Sequence, residues 1–239
     1  MKLKILVADR QIVRPGDILA IIEDEEVESF KYLPEKHIYI LKGKVYSDVI
    51  GIASISNNEV SVIPLEGTYI PRPGDLVIGV VTGIGITSWV IDIRSPYKGI
   101  LNGTEVIENF NPIMHNLRDY LDVGDYILAR IAAFDRSRDP ILTIKGKDLG
   151  KITKGVVVEV KPSRVSRIIG KKGSMLNILT GLTHCTITVA QNGVLWISCP
   201  SDNTLNALVE AINIINRKPH MRGLTEKIKL FLMQKLERL

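Results

Sequence analysis

The chain has 239 residues, 45% of them hydrophobic and 24% charged, with a formal net charge of +5. This is globular composition, and the length fits one large domain or two to three small ones. Two cysteines, Cys185 and Cys199, are too few for a disulfide framework or a zinc site, and both fall in expected strands, where they read as buried thiols. The N-terminal apolar run is too short for a signal peptide, and no stretch approaches the ~18 apolar residues of a membrane span. A soluble, cytoplasmic protein that makes no membrane contact is expected.

The charge is unevenly distributed. Residues 1–150 carry 17 Lys+Arg against 21 Asp+Glu, whereas residues 151–239 carry 14 against 5. The last third is therefore the part suited to a polyanion, unless its charge is only a solvated surface.

In chain order, residues 1–68 form an expected β-rich domain, with strands at 4–7, 18–22, 37–41, 45–55 and 60–64 and a turn at Asn57-Asn58. The acidic run Glu23-Asp24-Glu25-Glu26 is either a solvated loop or a docking point for a basic partner. Residues 69–151 continue with strands at 76–84, 88–94, 98–101, 126–135 and 141–145. Five strands with an insertion at 105–122, carrying a short helix near 114–120, suit a small Greek-key barrel of the OB type. A turn recurs through both segments: Arg14-Pro15-Gly16-Asp17, Arg72-Pro73-Gly74-Asp75 and Val123-Gly124-Asp125 each lead into an apolar strand.

After Gly150 the pattern changes to β-α-α-β-β-α. It has a strand at 156–160, helices at 164–169 and from 174 to 181, strands at 185–190 and 194–199, and a helix over 203–217 with Ser201 or Asp202 as N-cap. Asn192-Gly193 marks the hairpin turn. A last amphipathic helix over 225–238 presents Ile228, Phe231, Leu232, Leu236 and Leu239, a stripe suited to a core or an interface.

Between the first two of these helices stands Ile168-Ile169-Gly170-Lys171-Lys172-Gly173-Ser174. The glycines let backbone N–H groups approach a phosphate, the second helix brings its positive dipole end to the same place, and two ammonium groups add charge without selecting a base. Val165, Ile168, Ile169, Leu176, Leu179 and Ile187 offer an aliphatic surface for bases of a single strand. Arg164 and Arg167 flank it. These features resemble a type I KH domain over residues 152–219. One departure is apolar Ile178, where such helices show a polar residue.

The barrel resembles an S1-type RNA-binding domain, which implies aromatic and basic contacts on one face. The candidates are Trp89, Tyr97, Phe134, Arg94, Lys98, Arg130, Arg136 and Arg138. Trp89 reads equally as core or as a stacking platform, and Arg136–Arg138 as a solvated turn or an RNA contact. Thr87-Ser88-Trp89 and Leu101-Asn102-Gly103 depart from the usual S1 pattern.

The domain order, together with the hairpin Ala190-Gln191-Asn192-Gly193-Val194-Leu195-Trp196, resembles the archaeal exosome cap subunits that carry both S1 and KH domains. The fold expected is multidomain β and α+β: an N-terminal β domain that docks on the ring, an S1-type OB barrel, a type I KH domain, and a C-terminal helix at 220–239. The resemblance implies single-stranded RNA as ligand. It also implies a trimeric cap, alone or mixed with the zinc-ribbon cap subunit, on a hexameric ring of RNase PH-like subunits where phosphorolysis occurs. No cofactor or metal is expected. His37, His115, His184 and His220 share no metal or acid–base spacing, and carboxylates such as Asp92, Asp135 and Asp139 sit at strand ends and turns, so catalysis is not expected. A free S1/KH RNA-binding protein, acting in translation or as an RNA chaperone, is the competing reading.

Overall fold

A computed structural model describes residues 3–23, 31–33, 36–56, 59–65, 67–217, 221 and 223–237. The chain divides into two compact units, Met1–Gly67 and Thr68–Leu239. Asn57-Asn58, His220, Leu239 and most of the acidic run at 23–26 lie outside the described residues.

The first unit pairs two antiparallel sheets. One contains β1 (Leu3–Ile5), β3 (Ile18–Ile22), β4 (Lys31–Leu33), β5 (Ile38–Leu41) and β6 (Lys44–Ser47), in the order β1-β3-β6-β5-β4. The other contains β2 (Ile12–Val13), β7 (Gly51–Ser56) and β8 (Glu59–Pro64), in the order β2-β7-β8. Alternation of side chains sends Leu19, Ile38, Ile40, Val45, Ala53, Val60 and Val62 into the core between them. The strand expected over 45–55 is two strands. Buried Ser47 donates its hydroxyl to the carbonyl of Val49 at 2.7 Å, and this turn passes the chain from the first sheet to the second.

The second unit begins with a closed five-stranded barrel: β9 (Leu76–Ile84), β10 (Ser88–Asp92), β11 (Gly99–Asn102), β12 (Tyr126–Ala133) and β13 (Ile141–Thr143). Pairing of β13 with both β11 and β12 closes it, and β14 (Gly150–Lys151) adds to β12. Val77, Val81, Ile91, Leu101, Ile127, Ile131 and Leu142 fill its interior. In the insertion the expected helix is only a 3-10 turn at Leu117–Asp119, while α1 (Gly103–Val106) directly follows β11.

The recurrent turn has one hydrogen-bond pattern in all three places. A carboxylate oxygen of Asp17, Asp75 or Asp125 accepts from the backbone N–H three residues earlier, at 2.8, 3.2 and 2.8 Å. Each preceding glycine has positive φ (89°, 91° and 95°), a region that costs glycine little. Its N–H donates to a neighbouring strand, at Ser47, Ile131 and Val81 respectively. The motif thus starts a strand and ties it to its neighbour in one step.

The remaining elements are β15 (Val156–Glu159), α2 (Val165–Ile169), α3 (Ser174–Thr183), β16 (Thr186–Val189), β17 (Val194–Ser198), α4 (Asp202–Arg217) and α5 (Leu224–Leu236). The sheet order is β15-β17-β16, all antiparallel, which is the type I KH arrangement. Ser201 accepts the N–H of Thr204 and caps α4. The stripe of α5 is core: Ile228 and Leu232 are buried with Ala207, Leu208, Ala211, Ile212 and Ile215 of α4. The cysteines are not thiols. Cys185 and Cys199 form a disulfide with a Cα–Cα distance of 4.3 Å, because the β16–β17 register that pairs Thr186 with Ser198 also brings the two flanking positions together.

Candidate nucleic-acid interface

The loop between α2 and α3 is open. Lys171 and Lys172 are exposed, and among the described residues neither makes an ion pair. Gly170 closes α2 with φ 74° and ψ 172°, and a Cβ there would lie 2.7 Å from the backbone nitrogen of Met175. Lys172 is left-handed (φ 54°), as is Gly173, so the chain turns back sharply onto α3. No side chain caps α3, whose start directly follows the two lysines in the chain, although the Ser174 N–H itself donates to the Lys171 carbonyl. That combination of a helix start without a side-chain cap, its dipole and cationic charge suits a phosphate.

Around the loop, Arg167 and Ser174 are exposed, while Ile169, Leu176 and Ile178 are half-buried. Ile168, Leu179 and Ile187 lie in the core, so the aliphatic surface available beside the loop is narrower than the sequence suggests. Arg164 is half-buried, and its Nε is enclosed without a hydrogen-bond partner.

On the barrel the candidates separate. Tyr97 packs edge-on against Phe134, with ring centroids 4.7 Å apart, and Lys98 donates its N–H to Asp139 at 3.1 Å. These contacts join the 93–98 loop to the 134–140 loop, beside an open groove of about 420 Å³ lined by Pro73, Phe134, Arg138 and Ile141. Lys98 lies 3.4 Å from Asp92 and Arg138 lies 3.4 Å from Asp135. Bonds from the Ser137 hydroxyl and N–H, helped by Arg138, hold the Asp135 carboxyl below its ordinary pKa. Arg136 is exposed at the loop tip with φ 66°. Tyr97, Lys98 and Arg138 thus come together.

Three other candidates do not join them. Trp89 is fully buried and donates Nε1–H to the carbonyl of Leu121 at 2.9 Å, so its role is core packing and not base stacking. Arg94 pairs with Glu159 of β15 at 3.1 Å, and Arg130 donates to the carbonyl of Gly74 at 2.6 Å. Both guanidinium groups are engaged in holding the protein together.

Arg94 belongs to a junction whose role was not evident in the sequence. The β16–β17 turn inserts Asn192, fully buried, into the barrel wall. Its amide nitrogen donates to the carbonyls of Ile78 (2.7 Å) and Ile93 (2.9 Å). Gln191 accepts the N–H of Leu76 at 2.8 Å and returns its own N–H to the Leu76 carbonyl at 2.9 Å. Ile78, Leu128, Ala190 and Val194 form a small shared core beneath these bonds. The contact is made by the hairpin, which leaves the Gly170–Gly173 loop exposed. An Asn-Gly pair signals a hairpin, but an interior partner for the Asn side chain has no local sequence signature.

Two family models match the chain: a KH domain over residues 155–203, and the N-terminal domain of the exosome RNA-binding protein RRP4 over residues 10–66. The exosome complex component Rrp4 of Thermosphaera aggregans is 59% identical, over 99% of this chain and 96% of its own length. Those of Saccharolobus solfataricus (43%, over 98% and 92%) and Nitrosopumilus maritimus (40%, over 95% and 98%) are similarly co-extensive. A crystal structure assigned to an exosome complex RNA-binding protein superposes with a TM-score of 0.69 at 40% identity, covering 72% of this chain and 99% of that one. Likeness of this extent, through both units and all the expected domains, shows that the chain belongs to the Rrp4 family of exosome complex components.

Proposed function

We propose that this chain is a non-catalytic RNA-binding cap subunit of the archaeal exosome. It acts in the cytoplasm, holding single-stranded RNA above the pore of a hexameric RNase PH-like ring that degrades it from the 3′ end. The cap is a trimer of this chain, alone or mixed with the zinc-ribbon cap subunit. Family membership supports the assembly. The observation that carries RNA binding is the open loop of Gly170–Gly173, with two exposed lysines at a start of α3 that no side chain caps. Contacts of this kind grip phosphates without reading bases, so binding tolerates sequence and weakens with salt.

The barrel groove lined by Phe134 and Arg138, with Tyr97 packed on Phe134 and with Lys98 and Arg136 on the neighbouring loops, supplies a second contact on the same unit. In the first unit, β-register aligns Ile12, Ile52 and Ile63 in one row across the outer face of the β2-β7-β8 sheet. Ile12 and Ile63 are 64% and 57% exposed, where a solvated sheet face would present polar residues. Residues 1–67 carry 8 Lys+Arg against 11 Asp+Glu, which disfavours RNA as the occupant and supports a protein subunit of the ring.

The test is a salt titration of RNA affinity for the wild type and the K171E/K172E double variant. Affinity falls by on the order of tenfold or more at low salt, and the slope of log K against log salt flattens by about 1.4, or 0.7 for each lost phosphate contact. Unchanged affinity and slope would mean that the loop does not touch RNA.

A further inference from the structure

Cys185 and Cys199 stand at the open end of the β16–β17 hairpin, one just past the His184 C-cap of α3 and the other two residues before Ser201, the cap of α4. Cys185 is 4% exposed and belongs to the core cluster that includes Ile212 and Ile228; Cys199 is half-buried against the same cluster. The Cys185 N–H donates to the Thr183 hydroxyl at 3.3 Å, and that hydroxyl donates to the Leu179 carbonyl at 2.6 Å. On the other side, Ser201, two residues beyond Cys199, caps α4. The bond therefore ties the end of α3 to the start of α4 through the last rung of the sheet. The opposite end of the same hairpin is held by Asn192 in the barrel wall.

We propose that this disulfide is a redox-sensitive staple that sets the thermal resilience of the KH domain without touching its RNA-contacting loop. Cross-linking positions 14 residues apart restricts the unfolded chain, so the oxidised protein resists melting and the reduced one does not. In the reductive step a small dithiol attacks the half-buried Cys199 sulfur and passes through a mixed disulfide. It leaves as its own cyclic disulfide, and Cys185 and Cys199 take up two electrons and two protons as thiols. The Gly170–Gly173 loop stands at the other end of α3, so its phosphate-facing amides are unaffected while the domain remains folded. This inference stands whether or not the exosome assignment holds.

The experiment compares full-length protein, purified without reductant, before and after incubation with dithiothreitol. Thiols are counted by maleimide labelling in denaturant, and melting and RNA affinity are measured on both forms. Expected are no free thiols before treatment and two after it, a fall in Tm of roughly 6–12 °C, and an affinity at 25 °C within about twofold of the untreated value. A Cys185→Ala/Cys199→Ser variant melts near the reduced protein and does not respond to dithiothreitol. Two free thiols in the untreated wild type, or the same Tm in both forms, would overturn the proposal. A loss of RNA affinity well beyond twofold in the folded, reduced protein would overturn its separation from the RNA loop.

Discussion

At the residue scale, the side chains that matter for RNA and those that matter for assembly differ in what surrounds them. Lys171 and Lys172 are solvent-exposed with no ion-pair partner among the described residues, whereas Arg94 and Arg130 have a carboxylate and a carbonyl. An engaged guanidinium must break its bond before it can bind a phosphate, and a bond that joins two elements of the fold is harder to give up than the exposed pair of Arg138 within its own loop. The sequence alone distinguished the Gly170–Gly173 loop because its glycines and lysines are adjacent. It could not separate Arg94 from Arg138, since the Arg94 partner, Glu159, comes from a distant strand while Arg138 pairs within its own loop, with Asp135. Asp125 gives a residue-scale prediction. Burial alone would raise its carboxyl, but the bonds from Lys151 and the Asp122 N–H outweigh it and bring the pKa below the ordinary 3.8. A depressed folded value favours the carboxylate in the folded state. This stabilisation is complete at pH values well above the unfolded 3.8 and is lost as pH falls through the folded value. Asp125→Asn should therefore lose less stability than the wild type between about pH 5 and 2.5, as followed by urea denaturation; parallel losses would contradict the linkage.

At the scale of elements, the periodic segments were the legible ones. β3 and β9 stand where the alternation and apolar runs put them, and the β-α-α-β-β-α order is that of the structure. The two-residue β2 and the three-residue β4 escaped because their pairing comes from neighbouring strands and not from a local pattern. The disulfide escaped for the same reason: cysteines 14 residues apart become neighbours only once the β16–β17 register is known. The hairpin of Asn192 shows how one element fixes two domains. Its amide satisfies two carbonyls of the barrel wall, so Asn192→Ala leaves both unpaired in a buried setting. The expected cost is about 2 kcal/mol, a fall in Tm of roughly 4–8 °C. Hydrogen exchange should also show faster opening at Ile78 and Leu76, whereas unchanged protection there would mean that the junction is held by its apolar contacts.

At the scale of the molecule, charge and apolar surface are divided between regions. The basic excess lies after residue 150, where the open loop is, while the unpartnered isoleucine row lies on the acidic first unit. A free RNA chaperone has no use for such a row, and this favours the cap reading over its rival. No helix among the described residues is long and apolar enough to cross a membrane.

The most direct test of the cap assignment is affinity purification of the tagged chain from its native extract, with identification of co-purifying subunits and a phosphate-dependent RNA-decay assay. The wild type should bring down RNase PH-like subunits and support decay. An Ile12→Ser/Ile63→Ser variant with unchanged melting should lose most of the ring, and K171E/K172E should keep the ring while slowing decay. Recovery of ribosomes, or of RNA alone with a monomeric chain, would contradict the cap assignment and leave a free RNA-binding protein in its place.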